Sequence, residues 1–469
     1  MKKESRAKYL FKNTFLLALG NISSKFIIFL LIPLYTNFLT TKEYGQIDFL
    51  TIIGTVLVPL FFLNLYEGII RYSLEKKPNK DAIIALTFRV LLFSIIFSFL
   101  IIPISSYING LREYSILLYL YIISFGFCQV FISFLRGNEK LLDYAISNFA
   151  QALLIGAFNI YFLAFLKLGI TGYFLSYIIA NLIVSIYAFF RSGIISHLKT
   201  MKFDYKLSKE IIIYSVILIP NSLMWWVMNS LDKAMITYMI SASANGIYAV
   251  SYKLPTLVSN FSAIFNQAWS FSAIKENDSE DKIEFNNKGY KYLARIDLII
   301  GIGLLMIIKP FLKIYVGNDF YSAWKYTPFL IVGFVFLTLG TFIGTSYTVN
   351  KDSLGFLKSA TCGAIVNIIL NYLLINRYGI IGAAIATCIS YIVVFIYRAI
   401  DTRKYLKLKL FDRNIVLGFV ILIVSAGLVY ANVIGQIILC VNFLIIILIY
   451  KETIVLFLNK LLKKTVKNK

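Results

Sequence analysis

The residues most able to do chemistry in this sequence are charged side chains set in long apolar runs, each in helical register with amides and hydroxyls. Thr14, Asn21 and Lys25 recur at i, i+7 and i+11, which puts them on one face of a helix. Asp48, Thr51 and Thr55 share a face in the same way, as do Ser222, Asn229 and Lys233, and Lys253, Asn260 and Gln267 are spaced strictly by seven. Asp232 stands beside Lys233, but adjacent helical residues point about 100° apart, so neither is expected to neutralise the other across one turn. In an apolar medium a lysine can compensate an anion, a carboxylate can take up a proton or cation, and amides can bind hydroxyls. The competing role is structural: the neutral groups as interhelical hydrogen bonds, Lys25 and Asp232 as members of buried pairs.

The elements that must position these residues follow from composition. Hydrophobic residues make up 59% of the chain, the mean hydropathy is +0.78, and apolar runs of about 20 residues recur from end to end, the length needed to span a bilayer. The expected fold class is an all-α polytopic membrane protein of about 14 transmembrane helices. The spans are centred on residues 14–36, 46–66, 82–104, 114–135, 144–166, 170–190, 211–239, 246–270, 292–310, 326–348, 356–376, 380–400, 414–431 and 434–456. Most of the 46 lysines and arginines fall on one side if both termini are cytoplasmic, which sets the expected orientation. The same asymmetry accounts for the net charge of +23 as attraction to an anionic inner leaflet, and nucleic acid is not an expected partner. Cys128, Cys362, Cys388 and Cys440 all lie in spans without paired spacing, so no disulfide or metal framework is expected. Arg89 and Arg295 lie near span ends and read as headgroup anchors, Asp297 as a charge partner of Arg295, and His197 as a solvated linker residue.

Two echoes point to duplication. "KLGITGYFLSY" from Lys167 returns as "RYGIIGAAIAT" from Arg377, and the glycine of "TKEYGQIDFL" at Gly45 returns at Gly246 in "SANGIYAVSYKL", each roughly 200 positions later. Six spans is an even number, so both copies enter the membrane from the same side and would enclose a central cavity. The expected organisation is a six-helix lobe at 1–190, a cytoplasmic linker at 191–210, a second six-helix lobe at 211–400, and an appended helix pair with a basic tail at 401–469.

The segments "SLDKAMITYMISASANGIYAVSYKL", "IYVGNDFYSAWKYTPFLI", "NIILNYLLINRYGIIGAAIATCISY" and "IPLYTNFLTTKEYGQIDFL" resemble, in that combination, bacterial polysaccharide or lipid-linked oligosaccharide flippases of the multidrug/oligosaccharidyl-lipid/polysaccharide exporter superfamily. The resemblance implies alternating access and an undecaprenyl-pyrophosphate-linked repeat unit moved across the bacterial cytoplasmic membrane. On that reading Lys25, Lys253 and Lys233 meet the pyrophosphate, Asn21, Asn229, Asn260 and Gln267 meet sugar hydroxyls, and Asp48 or Asp232 couples an ion. Partners would be the lipid-linked glycan, membrane lipids, and possible glycan polymerase and glycosyltransferases. The sequence holds no phosphate-cradling Gly-Lys-Ser/Thr loop and a single histidine, so neither an enzyme nor a cofactor is expected. The alternatives are a cation-coupled multidrug exporter of the same superfamily, which would favour carboxylates over lysines in its cavity, and a membrane scaffold that assembles glycan enzymes without transport.

Overall fold

Apolar sequence in lipid must satisfy its backbone within each segment, which leaves helices as the simplest outcome. The computed structural model describes residues 24–75, 77–107, 110–275, 280–350, 352–453 and 455, and among these it contains helices and connecting turns but no strand. Among the described residues ten helices are long and apolar enough to cross a membrane, and Ser24–Phe38, Arg413–Leu428 and Val433–Ile449 are shorter apolar helices. Every one of the fourteen expected spans contains helix within its described residues. The seventh span is broken at Leu218, next to Pro220, and the eighth at residues 252–254, before Pro255. Proline lacks an N–H and restricts the residue before it, so it sits at a helix start in both places.

The chain folds into two compact units, one of residues 1–230 with 241–246, the other of 231–240 with 247–469. The first unit contains α1 (Ser24–Phe38), α2 (Thr41–Phe61), α3 (Leu65–Ser73), α4 (Lys80–Ser98), α5 (Ser115–Gly137), α6 (Leu141–Asn159), α7 (Gly169–Ser192), α8 (Tyr205–Ile217) and most of α9 (Ile219–Met239). A capping box starts α2: Thr40 Oγ1 accepts from the Glu43 N–H, and Glu43 Oε2 accepts from the Thr40 N–H at 2.9 Å. The start of α10 (Ala242–Ser251) lies against α2 at the closest approach in this unit. A Cβ on Gly45 would fall 1.7 Å from the Ala242 carbonyl oxygen, and one on Gly246 would fall 2.0 Å from that of Thr41. The contact is reciprocal, each glycine facing the carbonyl four residues before the other, and only glycine admits it. Polar groups lock α6 to α7: Gln151 Nε2 donates to Asn181 Oδ1 at 2.7 Å, and Asp143 accepts from Arg191 Nε at 3.0 Å and Tyr187 Oη at 2.9 Å.

The second unit comprises α11 (Pro255–Lys275), α12 (Lys282–Tyr315), α13 (Thr327–Val349), α14 (Ser353–Tyr378), α15 (Ile380–Asp401), α16 (Arg413–Leu428) and α17 (Val433–Ile449), with the rest of α9 and α10. Its centre is α13, whose most apolar window is 78% buried, against 33% for α14, which presents most of its surface outward. Gly379 joins α14 to α15 at φ +61° and ψ −138°, a conformation essentially restricted to glycine, and Gly169 of the earlier echo also has positive φ. Arg398 of α15 is buried, donating to Ser359 Oγ and to the Gly340 carbonyl, both at 3.0 Å, beneath the Phe356 ring. α16 and α17 pack on α12, and Tyr450 Oη donates to the Asn414 carbonyl at 2.8 Å.

Candidate transport site

The acid and base that stand side by side at 232 and 233 are joined through a third residue in the second unit. Asp232 is buried, with its Oδ2 accepting from Tyr248 Oη at 2.9 Å, Thr387 Oγ1 at 3.0 Å and Tyr252 Oη. Its Oδ1 accepts the Lys233 backbone N–H at 2.9 Å. The Lys233 ammonium lies over the Tyr252 ring, 5.1 Å from its centroid. One tyrosine therefore gives its hydroxyl to the carboxylate and its π-face to the ammonium, which is how two charges that point apart are held together. Helices α9, α10 and α15, with the turn at 252–254 that carries Tyr252, supply this cluster; Tyr248, Tyr252 and Thr387 carry no local signal that links them to Asp232, and the sequence reading did not name them.

In the first unit, Asp48 is half-buried on α2, and its Oδ2 accepts from Asn245 Nδ2 at 3.3 Å, while the same amide donates to the Gly45 carbonyl at 3.0 Å. Asn245 is fully buried and was also missed, although it lies in the repeated segment that drew attention to Gly246. Lys25 is exposed on α1 and Asn229 is half-buried on α9, both in the first unit; Lys253, between α10 and α11, and Asn260 on α11 are half-buried in the second. Asn21 lies outside the described residues, as does the side chain of Gln267, whose backbone is helical. The coupling candidates thus each have their own partners: Asp48 with Asn245, and Asp232 with the two tyrosines and Thr387.

Several residues first read as peripheral are engaged. Arg295 donates to Thr453 Oγ1 at 2.9 Å and lies over Tyr450, whereas Asp297, two positions on and so turned to another face, bonds Ser262 and Thr338 instead. The Arg89 guanidinium stacks on Phe203, 3.6 Å from the ring centroid. His197 Nδ1 is 2.7 Å from Asp81 Oδ1, which also accepts from Thr200, and the histidine lines a cavity with Lys80, Asn138 and Lys140. No group of histidine, cysteine or acidic side chains suited to a metal occurs among the described residues.

Residues 10–274 match the model of the family described as polysaccharide biosynthesis protein. The chain belongs to that family. Among curated relatives of this polysaccharide biosynthesis protein, a probable low-salt glycan biosynthesis flippase of Haloferax volcanii is 25% identical over 215 residues, 44% of this chain and 45% of that one, so the match spans about half of the relative's length. An uncharacterised membrane protein of Methanocaldococcus jannaschii is 23% identical over 82% of this chain and 96% of its own. In fold the chain is similar to a lipid II flippase in an inward closed conformation, with a TM-score of 0.68, 16% identity and coverage of 96% of this chain and 100% of that one. It is also similar to an inward-facing multidrug transporter of the same superfamily, with a TM-score of 0.65, 14% identity and coverage of 83% and 94%. The fold is thus one shared with a lipid II flippase and a multidrug transporter, and the relative and neighbours whose names state a role are named as flippases or transporters.

Proposed function

We propose that this protein moves a polyprenyl-pyrophosphate-linked oligosaccharide, with undecaprenol as the lipid of a bacterial host, from the inner to the outer leaflet of the cytoplasmic membrane by alternating access. Both termini lie in the cytoplasm on this reading, and the lobes are the six-helix repeats at 1–190 and 211–400. The observation that carries the proposal is the family match over residues 10–274, supported by the flippase fold along nearly the whole chain. A charged headgroup bearing sugars cannot enter hydrocarbon unaided, because stripping water from it is prohibitive. Lys25 and Lys253 compensate the pyrophosphate, one from each repeat, with Lys233 in support, while Asn21, Asn229, Asn260 and Gln267 bind sugar hydroxyls. Glycosyltransferases that supply the substrate and a polymerase that consumes it are the proposed partners. The multidrug transporter of similar fold supports a second reading, cation-coupled drug export; lysines outnumbering carboxylates in the proposed site favour an anionic substrate.

Reconstitution into liposomes carrying a polyprenyl-pyrophosphate oligosaccharide tests this directly, with leaflet exposure of the sugar read by a membrane-impermeant lectin. Protein-dependent transfer is expected. Hydrogen bonds to charged groups are worth about 1.5–3 kcal/mol, so Lys25→Ala or Lys253→Ala should weaken substrate binding roughly tenfold to a hundredfold, and Lys25→Arg should retain part of the activity. No transfer above empty vesicles would favour the scaffold, and transfer of lipophilic cations in its place would favour the exporter. Wild-type rates in the double alanine variant would remove the lysines from the site.

A further inference from the structure

Two buried carboxylates among the described residues are not used by the transport site: Asp143, which is paired with Arg191, and Asp297, which meets only hydroxyls. Asp297 lies on α12, about 22 Å from that 34-residue helix's first residue at 1.5 Å per residue, where the apolar run that starts at Leu298 begins. It is fully buried, Ser262 Oγ of α11 donates to its Oδ1 at 2.5 Å, and Thr338 Oγ1 of α13 meets its Oδ2 at 2.6 Å. Thr338 Oγ1 is also 2.8 Å from the Val335 carbonyl, so a hydroxyl with one proton has two acceptors within reach.

From this geometry we propose that Asp297, Ser262 and Thr338 form a proton-binding site in the second unit. With Asp297 ionised, both hydroxyls donate to the carboxylate. With Asp297 protonated at Oδ2, the new O–H donates to Thr338 Oγ1, the threonine proton turns to the Val335 carbonyl, and Oδ1 goes on accepting from Ser262. Each state is fully hydrogen-bonded without displacement of a heavy atom, and the only covalent change is one O–H bond made with a proton from water. Because an unsatisfied buried polar group is what usually forbids one protonation state, an arrangement that satisfies both permits exchange.

Among the described residues no fixed charge meets Asp297 to hold it in one state. Arg295, on the same helix, is turned to Thr453 and Tyr450. Of the described helices packed on α12, α13 brings Tyr347 as its ionisable residue, bonded to Asp401; α16 brings Arg413 at its first residue; α17 brings Cys440, an exposed thiol. The described side chains of α11 include no ionisable group, and the turn at Asn318–Lys325 lies toward the opposite end of α12. One further titratable side chain, Tyr290, shares the Asp297 face two turns earlier on α12. Among the described residues its buried hydroxyl has no hydrogen-bond partner, and neither has Oδ1 of the buried Asn266, one turn beyond Ser262 on α11. These unmatched polar atoms, on the side where α12 leaves the apolar region, mark the proton's way in and out.

The site's existence does not depend on what is transported; its use as a coupling device rests on the transporter reading. Infrared difference spectroscopy of the purified, lipid-reconstituted protein reads it without a substrate. In the difference between the wild type and Asp297→Asn, a carboxylic C=O component that grows on acidification and disappears on alkalinisation is expected, and the same component is expected when both proteins carry Asp232→Asn. Thr338→Val and Ser262→Ala, which keep the carboxyl, should each displace that component by removing one hydrogen bond, and they serve if Asp297→Asn does not fold. A difference component of constant intensity at every pH, or no difference between the wild type and Asp297→Asn at any pH, would each overturn the proposal. The flippase assay is a separate measurement, so a failed transfer experiment and a failed titration remain distinct results.

Discussion

Alanine at Gly45 should loosen the crossing of α2 and the start of α10. The added methyl would lie 1.7 Å from the Ala242 carbonyl oxygen and 2.8 Å from the Gly246 nitrogen, both backbone atoms that no side-chain rotation can clear. A carbon facing a carbonyl oxygen settles at about 3.3 Å, so the two helices must separate by about 1.6 Å at this point. At Gly246 the methyl would start 2.0 Å from the Thr41 oxygen, which requires about 1.3 Å. Overpacking of this kind costs about 1–3 kcal/mol, and separation also stretches the Asn245 bonds to Gly45 and Asp48, worth about 1 kcal/mol more. Equilibrium unfolding in mixed micelles, followed by tryptophan fluorescence, should therefore place Gly45→Ala about 2–4 kcal/mol below wild type and Gly246→Ala somewhat less far. A gap opened for one methyl admits the other, so the double variant should lose clearly less than the sum of the two. Gly45→Ala within about 0.5 kcal/mol of wild type, or strictly additive single variants, would refute the argument that glycine at both positions is what closes this crossing.

Arg398 offers a test in which the sign depends on the replacement. Arg398→Lys should destabilise the second unit, because one ammonium cannot span Ser359 Oγ and the Gly340 carbonyl as the guanidinium does, whereas Arg398→Met removes the buried charge and should be neutral or stabilising by the same unfolding measurement. Asp352 caps α14, and the Gly355 N–H, followed by the Tyr405 hydroxyl and Lys404, holds its carboxyl below the usual carboxylate range. A lowered carboxyl contributes stability that is present above its unfolded value near 3.9 and is lost as pH falls through the folded value. Melting temperatures of wild type and Asp352→Asn should therefore differ at neutral pH and draw together as the pH falls below the unfolded value; a difference that persists unchanged in acid would contradict the assignment.

The helices were legible because lipid imposes one rule on every segment, and a run of about 20 apolar residues records it directly. The breaks at Leu218 and before Pro255 were written in the sequence too, as prolines, yet they fell inside spans read as continuous. The site was legible to a different depth. Helical register picked out Asp48, Asp232, Lys233 and Lys253, but register reports only the face of one helix. The groups that satisfy Asp232 come from α10, the turn after it and α15, and Thr387 is more than 150 positions away, so no local pattern could have paired them. Asp297 was misjudged for the same reason: Arg295 is near in sequence, while Ser262 and Thr338 are near in space. The repeat echo singled out Gly45 and Gly246 as equivalent, and equivalence gave no hint that the two would touch.

The six residues Ser241–Gly246 complete the first unit although the ten before them, Leu231–Ile240, belong to the second. A ribosome therefore delivers the opening stretch of the second unit before it delivers the last piece of the first. The surface of α2 around Gly45 and Asp48 has to wait, with its close-approach groove empty, until residue 246 has been made and inserted. Domains usually fold as units in order of synthesis; here the first unit cannot finish on its own. A chain ended at the 191–210 linker would lack its partner for Gly45, and supplying the remainder as a separate polypeptide would have to bring those six residues back across the cut.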